Sequence, residues 1–308
     1  MPAQQGSTQG SKLGIALALL AVYAIWGSTY YVMRVALEAL PPFLMAAPRF
    51  VVAGSLLYAI LRARGAPSPT LRQWGAGTLV GGLLLVVGNG LVAMAERTVH
   101  SGVAATVVAT MPIWAAVIGL FWGERPRARE ALGLLAGFAG ILVLQRAGDF
   151  EFRAFDSLVL LIAPISWAFG SVWSRRLPMP PGNMASATQM ITGGVMMFGV
   201  SLLRGERPLA PLTFRTGAAL VYLAVFGSLV AFSAYGYLLR HTRPLVATSY
   251  AYVNPLVALL LGAAVGGERL SLDKLIACGL TIFGVLVVTL GGPRKTNVPA
   301  KEREAPER

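Results

Sequence analysis

The sequence predicts an all-α membrane protein of ten transmembrane helices, arranged as two five-helix inverted-topology repeats. Three observations predict it. First, 56% of the 308 residues are hydrophobic and 13% are charged, with a mean hydropathy of +0.66. A water-soluble domain carries roughly 25% charged residues. Second, the apolar residues run in blocks long enough to cross hydrocarbon, which takes about 20 residues of helix. Third, the chain repeats itself. Residues 97–144 contain Met111-Pro112-Ile113-Trp114 and Gly123-Glu124-Arg125, and residues 240–288 contain Asn254-Pro255-Leu256-Val257 and Gly267-Glu268-Arg269. Pro112 answers to Pro255, Glu124 to Glu268 and Gly140 to Gly284.

The elements follow in order. Residues 1–12 are polar, lack a basic leader and a small-residue cleavage site, and read as a cytoplasmic segment rather than a cleaved signal peptide. Apolar blocks at 13–33, 44–62 and 74–95 come next. Blocks at 102–122 and 131–146 are joined by a short charged turn around Glu124 and Arg125, and they close the first repeat, 13–146. The acidic, amphipathic stretch 147–155 reads as a linker. Blocks at 156–174, 185–203, 216–239, 247–266 and 274–291 form the second repeat, 156–291, before a charged cytoplasmic tail, 292–308. No block alternates with period two, which excludes a strand reading.

Five is odd, so two five-span repeats enter the membrane from opposite sides and are related by an axis in its plane. Ten spans put both termini on one side. The larger share of the Lys and Arg residues flanks the spans on the side of the N-terminus, so both termini are expected in the cytoplasm. The net charge of +13 sits between apolar blocks and in the tail, which argues for topology and against nucleic acid as a partner. The single cysteine, Cys278, excludes an internal disulfide and reads as a packing residue.

Pro112, Gly123-Glu124, Gly133 and Gly140 are matched by Pro255, Gly267-Glu268, Gly279 and Gly284. Trp26-Gly27-Ser28-Thr29 opens the first half, and Trp167-Ala168-Phe169-Gly170-Ser171 opens the second more loosely. In this pattern the chain resembles the EamA-type half of the drug/metabolite transporter superfamily, twice over and across residues 13–291. In detail it resembles bacterial aromatic amino-acid exporters of the YddG type. The resemblance implies a ten-helix inverted-repeat carrier that moves small metabolites, often outward, by alternating access around a central cavity.

The residues themselves suggest where such a cavity lies. Pro112 and Pro255 fall inside apolar blocks, where a proline removes a backbone donor and frees the carbonyls of Val108 and Ala251, so both read as hinges. Asn89 and Asn254 are amides within spans and need partners. Asn254 shares a helical face with Tyr250, and Ser228, Phe232 and Tyr235 form a similar stripe. Trp26 and Trp167 stand well inside their spans rather than at the headgroup belt, where Trp74 and Trp122 are expected. With Met111, Trp114 and Ser171, these residues are the expected substrate-binding set: an aromatic surface with a few hydrogen-bonding groups, suited to a zwitterion with an apolar side chain. Gly77-x-x-x-Gly81 and Gly133-x-x-x-Gly137 read as packing sites within one subunit, and Glu124 and Glu268 as capping and loop-pairing residues.

All 13 acidic residues fall at span ends, in loops or in the tail. A proton-coupled carrier usually exposes a carboxylate along its path, so the expected transport is facilitative, of neutral or zwitterionic solutes such as amino acids. The alternatives are a proton-coupled drug/metabolite antiporter, and a sugar-phosphate or nucleotide-sugar carrier that would meet phosphate with Arg34 or Arg49. No catalytic constellation, metal site or cofactor motif is present in the sequence, and no enzyme is expected. The expected partners are a small-molecule substrate and the lipid bilayer, with the protein a monomer or weak homodimer.

Overall fold

The computed structural model describes residues 11–97, 104, 107–146, 154–266 and 272–290, and the described residues hold helix and no strand. The helices are α1 (Lys12–Ala36), α2 (Pro42–Ala63), α3 (Leu71–Ala95), α4 (Met111–Leu120) and α5 (Ala128–Arg146) in the first half. In the second half they are α6 (Ala154–Ser174), α7 (Met184–Leu203), α8 (Phe214–His241), α9 (Tyr250–Gly266) and α10 (Leu272–Thr289). Helix therefore overlies each of the ten expected spans. Of these, α1, α2, α3, α7 and α8 are by themselves long and apolar enough to cross a bilayer.

Local chemistry repeats between the halves. The Thr70 hydroxyl accepts from Gln73 N at 3.3 Å while Gln73 Oε1 accepts from Thr70 N at 2.9 Å, a reciprocal cap at the start of α3. Thr213 and Thr216 make the same exchange at the start of α8. Each of these helices then loosens into a π-helical run, Gly82–Asn89 in α3 and Leu223–Val230 in α8. Such runs are rare and cluster at functional sites.

The fourth element of each half is interrupted. Ala109 and Thr110 form a turn before α4, and Pro112 sits in the first turn of that helix. A proline there forfeits no intrahelical bond, so the expectation of an interior kink at Pro112 is replaced by a helix restart. In the second half, a single helical turn, Pro244–Ala247, and the turn residues Thr248 and Ser249 precede α9, and Pro255 lies inside that helix. Hydroxyls serve the exposed carbonyls at both breaks: Thr110 donates to Val107 O at 2.6 Å, Thr248 to Pro244 O at 2.9 Å and Ser249 to Val246 O at 2.7 Å.

The halves interdigitate about a pseudo-two-fold axis. α1 packs on α9 and α8, and its counterpart α6 packs on α4 and α3. α2 packs on α7, and α5 on α10, so these elements meet their own counterparts. Glycine makes the last two contacts possible. A Cβ on Gly284 would lie 2.5 Å from Gly133 O and 2.5 Å from Gly137 N, and one on Gly133 would lie 2.9 Å from Gly284 O. Gly54 packs likewise on Met190 and Ile191, while Gly194 packs on Ala47 and Val51. Gly77 and Gly81 meet Thr188 and Gln189 of α7, so the small-residue spacings serve packing inside the chain.

Gly284→Ala pushes a methyl into backbone that cannot yield. It is expected to destabilise the protein by about 1–3 kcal/mol and to lower the thermal unfolding midpoint in detergent. Gly279→Ala, where a Cβ meets nothing within 4 Å, is expected to leave the midpoint unchanged.

Candidate functional site

A cavity lies between the halves, with about 670 Å³ of empty space including its open part. Its position follows from the helix directions. The lining residues of α1 (Trp26, Thr29, Tyr30, Met33) and α3 (Gly88, Asn89, Val92) come late in those helices, and those of antiparallel α2 (Arg49, Phe50) come early. The cavity therefore runs from mid-span toward the end opposite Lys12.

Aromatic rings form its floor. Trp26 and Trp167 meet edge to face with centroids 5.5 Å apart. Tyr250 lies 4.5 Å from Trp26, and Phe232 6.4 Å from Trp167. Each indole rests on the π-helical run of the opposite half. Trp26 Nε1 donates to Gly227 O at 3.0 Å, and the Trp167 ring covers Gly88 so closely that a Cβ there would approach to 2.7 Å. The Tyr250 hydroxyl reaches Met111 Sδ at 3.3 Å, tying α9 to α4.

Polar groups interrupt the apolar wall. Arg49 is 6% exposed and donates through Nη2 to Asn89 Oδ1 at 2.8 Å, while its guanidinium lies 4.5 Å from the centroid of the Phe50 ring. Its Nε finds no hydrogen-bond partner. Asn254, 2% exposed, sits beside the Tyr30 hydroxyl and leaves Oδ1 unpartnered. The described lining residues include no acidic side chain, and no group of three or more His, Cys, Asp or Glu among the described residues could hold a metal.

Of the residues singled out in the sequence, the structure brings Trp26, Asn89, Met111, Trp167, Phe232, Tyr250 and Asn254 to this one cavity. Tyr235 and Ser171 lie beneath its floor, joined hydroxyl to hydroxyl at 2.6 Å, with the Tyr235 ring 5.2 Å from that of Trp26. Ser228 is buried on the π-helical run beside Gly227, with its Oγ unpartnered. Trp114 turns back along its own helix to Thr110 Oγ1 at 3.2 Å. Pro112 and Pro255 are not lining residues. Instead Pro164, interior to α6, lines the wall, and Pro48, interior to α2, precedes Arg49. Thr29, Tyr30 and Met33 join Trp26 at the i, i+3, i+4, i+7 spacing of one helical face, the pattern that could have found them.

The end nearest Lys12 is sealed by contacts between the halves. Glu124 accepts from Arg176 at 2.9 Å and lies 3.9 Å from Arg175. Glu130, 1% exposed, takes both Arg243 Nη1, at 2.7 Å to Oε2, and the Arg127 backbone N–H. Across the halves Arg176 also stacks on Trp122 at 4.7 Å, while within the second half Arg240 donates to Asn183 Oδ1 at 2.6 Å. Glu124 thus pairs across the halves rather than within its own turn. At the opposite end, Glu206, after α7, caps the first turn of α2 through Leu44 N at 2.8 Å.

The pattern of the EamA-like transporter family matches the chain twice, over residues 12–146 and 155–290. The chain belongs to the EamA-like transporter family. Its relatives include the "uncharacterized inner membrane transporter YedA" of Escherichia coli (strain K12), 46% identical over 290 residues that cover 94% of each chain. The "uncharacterized transporter YdfC" of Bacillus subtilis (strain 168) is 28% identical over 85% of this chain and 86% of its own. The "WAT1-related protein At3g02690, chloroplastic" of Arabidopsis thaliana is 26% identical over 88% of this chain and 68% of its own. A crystal structure at 24% identity superposes with a TM-score of 0.76, covering 91% of this chain and 98% of that one, and so shares the fold. This EamA-like chain is a membrane protein of a transporter family, built from two helical repeats.

Removing one partner of a buried ion pair leaves an uncompensated charge and costs about 3–5 kcal/mol. Arg243→Gln is therefore expected to destabilise the protein strongly, and Glu130→Gln combined with Arg243→Gln to cost less than Arg243→Gln alone. Detergent unfolding of the single and double variants measures the difference.

Proposed function

We propose that this chain is an inner-membrane carrier that exports small zwitterionic metabolites, large neutral and aromatic amino acids above all. The observation that carries this reading is the cavity between the two repeats, walled by aromatic rings, whose described lining residues include no acidic side chain. Rings bind an apolar side chain through contact area and edge-to-face attraction. The Asn254 carbonyl offers an acceptor to an ammonium group, and the Arg49–Asn89 pair offers a donor side. The described wall residues carry no carboxylate to give an organic cation a counter-charge or a proton a site, which favours facilitated exchange over proton coupling.

Alternating access follows the symmetry of the halves. The aromatic floor and the ion pairs of Glu124 and Glu130 close one end, and rocking one half against the other would open that end and close the opposite one. With both termini in the cytoplasm, as the Lys and Arg distribution favours, this arrangement faces outward.

Purified protein in liposomes is expected to take up phenylalanine, tryptophan and leucine saturably, at rates unaffected by a pH gradient. Uptake that needs the gradient would establish coupling and overturn the facilitative reading. The outward-facing arrangement is tested in cells after Cys278→Ala. Val92→Cys, on the cavity wall, is expected to react with an impermeant thiol reagent added outside, and Val172→Cys, beyond the floor, to stay protected. The reverse pattern would overturn the assigned orientation.

A further inference from the structure

Arg49 is difficult to account for as a structural residue. A cation in the low-dielectric interior of a membrane protein is kept where it pairs with an anion or lines a functional path. Arg49 is 94% buried, has one side-chain acceptor, Asn89 Oδ1, and a ring face, Phe50, and its Nε is unpartnered. Among the described residues no carboxylate lies within ion-pair distance of it. Glu96 closes α3 beyond Val92 and is in electrostatic reach of Tyr30, but it is not a lining residue. Asn89 and Phe50 orient the guanidinium without neutralising it.

The repeat shows what a packing residue would look like at this position. Gly54 packs on Met190 and Ile191, and Gly194 packs on Ala47 and Val51. That reciprocal register aligns Arg49 of α2 with Gln189 of α7. Gln189 is neutral, buried against α3 and away from the cavity. The cation is therefore an addition of one half, in the half whose residue reaches the solute space. A single guanidinium matches one carboxylate in forked geometry. Two or three negative charges on a phosphate ester would call for further cations, and the described lining residues supply none.

We propose that Arg49 is the anion-recognition residue of this cavity, holding one carboxylate of a solute whose apolar body rests on the Trp26–Trp167–Phe232 floor. The inference rests on reading the cavity as a solute site, and it extends the ligand class. The amino group becomes dispensable, so aromatic monocarboxylates bind beside amino acids, and the matching amines do not.

The test uses three probes sharing one ring: phenylalanine, 3-phenylpropionate and phenethylamine. Binding is read by ligand-induced thermal shift of the detergent-purified full chain, and transport by competition for uptake in liposomes. Phenylalanine and 3-phenylpropionate are expected to bind and compete, and phenethylamine to do neither. Losing a buried, hydrogen-bonded charge partner weakens binding by about thirtyfold or more. Arg49→Gln is expected to weaken both carboxylates by that factor, with Arg49→Lys restoring part of it. Because Arg49→Gln also removes an uncompensated buried charge, its ligand-free unfolding midpoint is expected to equal or exceed that of the parent. A midpoint that falls, or a variant that does not fold, would make Arg49 a structural residue and overturn the proposal. Equal binding of phenethylamine and 3-phenylpropionate, no binding of either carboxylate, or carboxylate binding unchanged in Arg49→Gln would overturn it too. Arg49-dependent carboxylate binding without amino-acid uptake would uphold it while removing the amino-acid export reading. Amino-acid uptake indifferent to Arg49 would do the opposite.

Discussion

A chain in hydrocarbon has to satisfy its backbone polar groups within itself, and it can depart from the α-helix only where protein or a wet cavity receives the groups set loose. That constraint organises this molecule. The π-helical run of α3 ends at Gly88 and Asn89 on the cavity wall, and the run of α8 presents the Gly227 carbonyl to the Trp26 indole. The restart before α4 delivers Met111 to the wall, and the start of α9 delivers Tyr250. Pro164 interrupts α6 where that helix lines the same space. Irregular backbone is thus concentrated around one cavity, while the pairs α2–α7 and α5–α10 pack closely through glycine.

Symmetry and its violation divide the labour. The paired features, including the Thr70 and Thr213 caps, the two π-helical runs and the two tryptophans, build a scaffold that treats the halves alike. The unpaired features set what the scaffold contacts. Trp26 has a carbonyl partner, while Trp167 Nε1 lies near the Tyr235 hydroxyl without a hydrogen bond of good geometry. Arg49 is charged where the register places Gln189.

Much of this was legible in the sequence, because membrane physics writes in long strokes. Each apolar block of span length overlies a helix among the described residues, and the two motifs repeated in order fall in the two segments that match the family pattern, 12–146 and 155–290. Seven of the eleven expected binding residues converge on one cavity, since polar and aromatic groups inside a span have few places to go. The rest depended on information that spacing does not carry. Ser171 and Tyr235 satisfy each other beneath the floor, and Trp114 finds its acceptor one turn back on its own helix. The proline rule pointed to interior kinks, but Pro112 stands where a helix begins. Glu124 looked like a turn residue beside Arg125, because a pairing with Arg176 in the other half is invisible until the halves are assembled. Arg49 was visible as a charge near a span end and weighed for phosphate, but nothing in its neighbours announced how deeply it would be buried.

The glycine contacts also bear on how the protein is made. Gly133 of α5 finds its cover on α10, Gly137 on Tyr252 of α9, and Gly54 of α2 on α7. When the ribosome has delivered α1 to α5, those faces have nothing of their own to lie against, and α5 waits for α10. Neither half is a finished folding unit, so assembly cannot proceed as two successive bundles that dock afterwards. The close-packed α5–α10 seam of the mature protein therefore joins two segments that biosynthesis releases far apart in time.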